Sequence, residues 1–141
     1  PFIRERFYGD GATARYRGPA GERRLSVRAC ATLGEAVMLT TSPLLMSEEN
    51  RARYVEVEKR VRLPRYGGDC YAYCMVAAGN VDLVIETNLN DFDILPLIPI
   101  IEGAGGIVTN WEGGTDLAGG RVVVAGDRRV HEAALKVLAG G

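Results

Sequence analysis

A chain of 141 residues has room for one domain with a substantial core. Its 17 Lys and Arg residues against 18 Asp and Glu residues give a formal net charge of −1, which argues against a nucleic-acid-binding or membrane-surface protein. The longest apolar run, 94–101, has eight residues, far fewer than the roughly 20 that span a bilayer. Three cysteines without a secretory pattern favour the cytoplasm. The chain enters a strand-like segment directly after Pro1, so we expect that a preceding segment is missing.

The first part of the chain has strand patterns. Residues 2–8 and 12–16 flank the turn 9–11, Gly-Asp-Gly, and this arrangement predicts a hairpin. The segment 18–21 is predicted to be a loop that closes the second strand. A short apolar run that ends in hydroxyls, 36–41, predicts a buried strand.

A helix is predicted to follow, with Ser47 as its capping residue and two acids in its first turn. Tyr54, Val57 and Val61 then recur at spacings of three and four residues. We expect Pro64 to end this helix.

Strand and helix patterns alternate through the second half. Pro96 is expected in the first turn of a helix and Pro99 is expected to kink it. The predicted elements are, in order, a helix over 70–78, a strand over 81–85, a helix over 94–101, strands over 106–109 and 121–125, and a helix over 130–138. The alternation predicts an α/β fold with a sheet covered by helices.

Two acids near the start of the predicted helix at 94 are candidates for chemistry. An acid in a first turn is favoured by the helix dipole alone, but Asn90 and Asp91 can supply the cap here. We therefore consider Asp93 free to bind a hard cation. Glu86 ends a buried strand, where α/β sheets collect ligands; the alternative is a charged residue that simply reaches solvent.

A third candidate precedes the helix at 70. Asp69 follows two glycines, and it is either an N-cap carboxylate or a group that binds a cationic part of a substrate. Arg65 is near enough in sequence to orient Asp69 or to meet a phosphate. The single histidine, His131, is expected to be a surface or hydrogen-bonded side chain.

The segment 92–106 resembles the C-terminal signature of the inositol monophosphatase family: Trp-Asp, a small pair, an aliphatic stretch and Glu-Ala-Gly-Gly. Phe92 replaces Trp, Leu95-Pro96 replaces the small pair, and Gly103 stands where the family has Glu. Residues 66–73, Tyr-Gly-Gly-Asp-Cys-Tyr-Ala-Tyr, and the Thr-Thr-Ser-Pro that begins at Thr40 resemble the histidinol-phosphatase branch of that family.

This resemblance implies the C-terminal half of an αβαβα layered fold, with a mixed sheet covered by helices. Residues 1–24 would be a terminal hairpin of the missing N-terminal domain, and 25–141 a C-terminal α/β domain. The implied activity is hydrolysis of L-histidinol phosphate, a step in histidine biosynthesis, with two or three Mg²⁺ ions that activate a water and stabilise the leaving alkoxide.

The resemblance also implies roles for four residues. Asp93 would bind a metal, Glu86 and Asp69 would hold the ammonium or imidazolium of the substrate, and Arg65 would order that pair or touch the substrate. It assigns no catalytic residue to this half. The family's remaining metal ligands precede this segment, and one carboxylate holds Mg²⁺ poorly. We therefore expect the chain alone to be inactive.

Two alternatives stay open. One is a phosphatase for inositol 1-phosphate or another sugar phosphate. The other is a non-catalytic interaction domain on the same fold, in which Asp93 only caps a helix. The expected partners are a phosphorylated small molecule, the missing N-terminal half and a second copy in a homodimer, with neither nucleic acid nor membrane.

Overall fold

The computed structural model of the protein describes residues 2–141. Strands and helices lie in most of the places expected from the sequence, and two further strands, over 21–24 and 63–66, were not expected. The strands are β1 (Arg6–Gly9), β2 (Ala14–Gly18), β3 (Gly21–Arg24), β4 (Val37–Thr40), β5 (Leu63–Tyr66), β6 (Leu83–Glu86), β7 (Ile107–Thr109) and β8 (Val122–Ala125). The helices are α1 (Glu48–Glu58), α2 (Asp69–Ala77), α3 (Asp91–Ile94), α4 (Ile98–Gly103) and α5 (Arg128–Leu138).

The predicted hairpin is present as β1 and β2, which pair antiparallel. Its turn is held by Asp10, whose Oδ1 accepts hydrogen bonds from the backbone N–H of Ala12 at 2.9 Å and of Thr13 at 2.7 Å. The segment 18–21 does more than close the second strand. It is a tight turn into β3, which pairs antiparallel with β2 and makes a three-stranded sheet.

The central sheet has five strands in the order β5-β4-β6-β8-β7. Strands β5, β4 and β6 are parallel, whereas β8 runs antiparallel to both β6 and β7. The carboxyl ends of the three parallel strands therefore lie at the same end of the sheet. The segments that begin at Thr41, Gly67 and Thr87 all leave the sheet there.

Helices cover both faces of the central sheet. Val84 faces the core under α2 and α4, whereas its neighbours Leu83 and Ile85 face the core under α1 and α5. The three-stranded sheet packs on the outer side of α4. The layers are thus sheet, helices, sheet, helices, which confirms the α/β class with a mixed sheet. Among the described helices, none is long and apolar enough to cross a membrane.

The three-stranded sheet and α4 are in close contact. A Cβ atom added to Gly103 would lie 2.4 Å from the carbonyl oxygen of Thr13, so only glycine fits at this position. The backbone N–H of Gly11 also donates to the carbonyl of Pro99 at 3.1 Å. The assignment of residues 1–24 to a separate N-terminal domain, with 25–141 as the C-terminal domain, stays a prediction.

Three expectations about prolines were wrong. Helix α1 ends at Glu58, six residues before Pro64. Pro64 lies in β5, the outermost strand of the sheet. Proline is tolerated in an edge strand because its missing N–H does not interrupt the hydrogen bonds between two inner strands. The helix expected over 94–101 is two short helices. Pro96 lies in the break between them, because it lacks the donor that would continue α3. Pro99 lies in the first turn of α4, where no donor is needed.

A partly buried ion pair lies at the end of the sheet where the parallel strands begin. Asp82 accepts two hydrogen bonds from Arg28, at 2.7 and 2.6 Å, and one from the backbone N–H of Val37 at 2.8 Å. Burial alone would raise the pKa of Asp82, but these hydrogen bonds outweigh it, and the pKa lies below its ordinary value. The pair therefore fixes the start of β4 against β6.

Candidate functional site

A cavity of about 590 Å³ opens where the parallel strands end. This is the edge at which α/β sheets bind ligands. The cavity lies between the segments that follow β4 and β6, the helices α2 and α3, and the link from α3 to α4. Its lining residues are Thr41, Leu45, Asp69, Cys70, Tyr73, Glu86, Thr87, Asn88, Leu89, Phe92, Asp93, Pro96 and Leu97.

Glu86 is the buried carboxylate of this cavity, with 4% of its surface exposed. Its Oε1 accepts hydrogen bonds from the backbone N–H and the hydroxyl of Thr41, both at 2.7 Å, and its Oε2 accepts one from the hydroxyl of Thr40 at 3.2 Å. Burial raises the pKa of Glu86 above its ordinary value, although the threonine hydrogen bonds act against that shift. Glu86 therefore does not simply reach solvent; it ties the ends of β4 and β6 together at the cavity.

Asp69 is held at the exposed rim of the cavity by an unusual turn. Gly67, Gly68 and Asp69 all have left-handed backbone angles, with φ of 80°, 99° and 44°. The third is strained for a residue with a side chain. The N-cap position of α2 belongs to Gly68, and no side chain caps this helix. The interpretation of Asp69 as an N-cap is therefore wrong, and its carboxylate is available to a ligand.

Thr41 lies between the two carboxylates. Its hydroxyl is 2.7 Å from Oε1 of Glu86 but 3.5 Å from Oδ1 of Asp69. A hydroxyl has one hydrogen to donate, and the shorter contact to Glu86 takes it. Asp69 is left without a strong hydrogen bond among the described residues.

Asp93 lines the cavity and also caps α3. Its Oδ2 accepts the backbone N–H of Asn90 at 2.8 Å and the side-chain amide of Asn90 at 3.3 Å. The expectation that Asn90 and Asp91 would leave Asp93 free of the cap is wrong, because Asp93 occupies the third helical position, from which a carboxylate reaches back to the cap. Its Oδ1 has no hydrogen-bond donor among residues 2–141.

Arg65 is the predicted site residue that lies elsewhere. It is exposed on the edge strand β5, and its guanidinium donates to the carbonyl of Pro64 at 2.9 Å. It forms no ion pair with Asp69 within residues 2–141 and does not line the cavity. The reason is topological: β5 is the outermost strand, and β4 separates it from β6, which carries Glu86. The structure thus brings Asp69, Glu86 and Asp93 together without Arg65.

Two further residues that line the cavity, Tyr73 and Thr87, have hydroxyl groups that are buried. Tyr73 is 3% exposed and Thr87 is 6% exposed. Neither hydroxyl has a hydrogen-bond partner within residues 2–141. A buried polar group without a partner costs about 1–3 kcal/mol. Burial raises the pKa of Tyr73, and the charges of Glu86 and then Asp93 raise it further, so its hydroxyl stays protonated near both carboxylates.

A signal for these two residues was present in the sequence. Tyr73 lies four residues after Asp69 and thus on the same face of α2, and Thr87 directly follows Glu86. His131 is as expected: it is buried, and its Nε2 is 2.8 Å from the hydroxyl of Thr109.

The acids around the cavity do not make a complete cation site. Within residues 2–141 no three His, Cys, Asp or Glu side chains are grouped so that they could hold a metal ion. Both oxygens of Glu86 already accept hydrogen bonds, and one oxygen of Asp93 is used by the helix cap. A metal at this cavity would need ligands other than those described.

Comparisons with known proteins place the chain in context. The sequence model of the inositol monophosphatase family matches residues 1–140. The chain is 42% identical over 148 aligned residues to the chloroplastic bifunctional phosphatase IMPL2 of Arabidopsis thaliana, and the match covers 98% of this chain and 42% of that protein. It is 31% identical to the histidinol-phosphatase of Mycobacterium tuberculosis, over 100% of this chain and 55% of that protein.

A solved structure of an inositol monophosphatase from Zymomonas mobilis has the same fold. It matches with a TM-score of 0.79 and 31% identity, over 90% of this chain and 53% of that one. The chain thus spans about half the length of the relatives it matches. The members of the matched family are metal-dependent phosphomonoesterases.

Proposed function

This chain belongs to the inositol monophosphatase family, and we propose that it is the substrate-selecting half of a metal-dependent phosphomonoesterase. The proposed substrate is a phosphate monoester that carries a positive charge, with L-histidinol phosphate as the specific candidate. Its hydrolysis to L-histidinol and phosphate would place the enzyme in histidine biosynthesis. The M. tuberculosis relative, which matches the whole chain, supports this choice by its name, histidinol-phosphatase.

The observation that carries the proposal is the charge of the cavity. Asp69, Glu86 and Asp93 line it, and none of its described lining residues is Lys, Arg or His. Such a cavity attracts an ammonium or imidazolium and has no cation of its own to hold a phosphate. Asp69, exposed and without a strong hydrogen bond, suits the substrate ammonium, and Glu86 suits a second donor deeper in the cavity.

The metal that we propose is Mg²⁺, two or three ions in the complete enzyme. Carboxylate oxygens are ligands that Mg²⁺ prefers, and Oδ1 of Asp93 would supply one of them. The remaining ligands would come from residues outside this chain. For this reason we expect the 141 residues alone to bind Mg²⁺ weakly and to hydrolyse no phosphate ester. Calorimetric titration with Mg²⁺ and a phosphate-release assay check this; turnover by the chain alone at the rate of a complete enzyme would refute it.

The substrate is tested in the complete enzyme by Asp69→Asn. The change keeps the shape of the side chain and removes its charge, so kcat/KM for L-histidinol phosphate should fall about tenfold or more, whereas kcat/KM for inositol 1-phosphate should change little. The control is Glu49→Gln, an exposed acid in the first turn of α1 and away from the cavity. Equal losses on both substrates would favour the alternative function, hydrolysis of inositol 1-phosphate or another sugar phosphate.

One observation favours a candidate of another class, a non-catalytic interaction domain. Asp93 caps α3, which is all that such a domain would need from it. In that case Asp93→Asn would leave Mg²⁺ binding by the complete protein unchanged. If Asp93 is a metal ligand, the same variant should weaken Mg²⁺ binding while α3 keeps a weaker cap.

Location and assembly also belong to the proposal. The described cysteines, Cys30, Cys70 and Cys74, are free thiols, which supports a reducing compartment such as the cytoplasm. We propose a homodimer, which light scattering of the complete protein would test. A monomer at all concentrations would refute the dimer without affecting the proposed reaction.

A further inference from the structure

We infer that Tyr71 is a positioning residue for substrate recognition: it anchors the first turn of α2 to the three-stranded sheet and so holds the carboxylate of Asp69 at the cavity rim. The inference rests on the proposed function, in which Asp69 binds the ammonium group of the substrate. Tyr71 is not among the described residues that line the cavity, so its effect on the substrate passes through Asp69.

The first turn of α2 lacks the contacts that usually hold the start of a helix. Its N-cap residue, Gly68, has no side chain to accept the free backbone N–H groups. Asp69 has a strained φ of 44°, and such a conformation persists only where the surrounding structure holds it. The residues at 69–71 are all exposed, whereas core packing of this helix begins with Ala72. A contact outside the core is therefore needed to hold this turn.

Tyr71 supplies such a contact. Its hydroxyl donates to Oε2 of Glu5 at 2.8 Å, and its ring meets that of Phe7 edge-on, with the centroids 5.8 Å apart. The backbone N–H of Tyr71 donates to the carbonyl of Gly68 at 2.8 Å. That hydrogen bond spans Asp69. The residue whose side chain is anchored on the sheet therefore also closes the turn that carries the carboxylate.

The anchor point is itself fixed within the three-stranded sheet. Oε1 of Glu5 accepts a hydrogen bond from the hydroxyl of Tyr16 in β2 at 2.9 Å, which leaves Oε2 for Tyr71. The rings of Phe7 and Tyr16 pack with their centroids 5.2 Å apart. The hydrogen bond to Glu5 raises the pKa of the Tyr71 hydroxyl, so this hydroxyl stays protonated and donates. Hydrogen bonds to a charged carboxylate are stronger than those between neutral groups.

The test measures KM and kcat of the complete enzyme for L-histidinol phosphate and for inositol 1-phosphate. Tyr71→Phe removes the hydrogen bond to Glu5 and keeps the ring. We expect KM for L-histidinol phosphate to rise about fivefold, with its kcat and both constants for inositol 1-phosphate within about twofold. Glu5→Ala should have the same effect. Glu5→Gln should keep KM within about twofold, because an amide can accept from one hydroxyl and donate to the other.

A double variant separates positioning from a general structural effect. If Tyr71 acts through the charge of Asp69, Tyr71→Phe should change KM by less than about twofold in the Asp69→Asn enzyme. Hydrogen exchange gives a readout that does not depend on activity. The backbone amides of Tyr71 and Ala72, which donate to the carbonyl of Gly68, should exchange faster in Tyr71→Phe than in the wild type.

The matched control is Tyr8→Phe. The hydroxyl of Tyr8 donates to Glu22 at 2.5 Å in the same sheet, but Tyr8 lies on the opposite face of β1 from Phe7. Its loss should change neither KM nor the exchange of the α2 amides. An unchanged KM or unchanged exchange in Tyr71→Phe would overturn the inference, as would equal losses on both substrates or a loss that persists in the Asp69→Asn enzyme.

Failure of the proposed function has a different signature. If Asp69→Asn alone left KM for L-histidinol phosphate unchanged, the proposed role of Asp69 would be refuted. The exchange rates of the two α2 amides would then decide by themselves whether Tyr71 holds the turn.

Discussion

Replacing the buried Glu86 by Gln should keep the protein folded and remove part of its pH dependence. Oε1 of Glu86 accepts two hydrogen bonds from Thr41, and the oxygen of a Gln amide can accept both. Oε2 accepts from the hydroxyl of Thr40; a Gln amide nitrogen there would donate to that hydroxyl, which can also accept. The amide therefore satisfies every group that the carboxylate satisfied.

The magnitude follows from these contacts. In Glu86→Ala three donors lose their acceptor, at about 1 kcal/mol each, so the variant should be about 3 kcal/mol less stable than the wild type, before any cavity cost. In Glu86→Gln the three contacts persist, and the free energy of unfolding at pH 7 should be within about 1 kcal/mol of the wild-type value or above it. The Ala variant should thus be less stable than the Gln variant by about 2 kcal/mol or more.

The pH dependence has a definite sign. Burial raises the pKa of Glu86 in the folded protein, so the folded state holds this proton more tightly than the unfolded state. The wild type therefore loses stability as the pH rises from the unfolded pKa of Glu through the folded one. The Gln variant lacks this loss, and its stability relative to the wild type should increase over the same range and then level off.

Urea unfolding at a series of pH values from 4 to 8 measures both effects. The difference between wild type and Glu86→Gln isolates this one residue, because the other titrating groups are common to both proteins. A Gln variant as unstable as the Ala variant would show that the charge itself holds the strands together. The free energy of unfolding of Glu86→Gln minus that of the wild type should increase with pH, and a decrease would equally refute the reasoning.

Three further changes test the packing and the buried groups. Asp82→Asn breaks the bidentate pair with its arginine and should cost about 2 kcal/mol, less than a fully buried pair because 38% of the arginine side chain is exposed. Gly103→Ala forces a methyl group against the carbonyl of Thr13 and should cost about 3 kcal/mol. Burial lowers the pKa of His131, so stability should fall as the pH drops below the unfolded pKa of His, and His131→Gln should abolish that part of the fall.

The same urea titrations check all three, each against its own comparison. Gly119→Ala, at a glycine with open space around it, should change stability by less than about 0.5 kcal/mol. If Gly119→Ala lowered the free energy of unfolding as much as Gly103→Ala, the cost would come from replacing glycine in the backbone, and not from the contact of Gly103 with Thr13 in the three-stranded sheet. For Asp82→Asn, an unchanged free energy of unfolding would contradict the stabilising role of the pair. For His131→Gln, a fall with acid as steep as that of the wild type would contradict the assignment.

The sequence was enough to predict the inner strands and the helices between them, because runs such as 83–85 and 122–125 are entirely buried and apolar and such runs form inner strands. The edge strand β5, which contains Pro64, was not predicted. Nor was the sequence enough for the prolines. Whether Pro96 or Pro99 interrupts a helix depends on where the chain must bend to pass under the three-stranded sheet, and that is a tertiary contact. The strand β3 was missed for a related reason: its four residues are all exposed and three of them are charged, and only pairing with β2 makes it a strand.

The candidate site was predictable in position but not in detail. Glu86 could be assigned to a strand end because the run before it is apolar. Its burial and its hydrogen bonds depend on Thr41, 45 residues earlier in the chain, and no local pattern indicates that pairing. Asp93 shows the opposite error: the local capping rule alone would have predicted its role in the helix cap. Arg65 is near Asp69 in sequence, but it lies on the outermost strand β5 and does not line the cavity.

In the proposed enzyme, this cavity would bind the organic part of the substrate, and other residues would bind its phosphate. A phosphate ester has an anionic end, which needs cations, and an organic part, which needs shape and hydrogen bonds. The described lining offers carboxylates, hydroxyls and apolar side chains but no cationic residue, so it suits the organic part. Substitutions on this wall should therefore change which ester is bound more than how fast a bound ester is cleaved. Asp93 is the exception, because we propose that its Oδ1, which the helix cap leaves free, binds the metal beside the wall that selects the substrate.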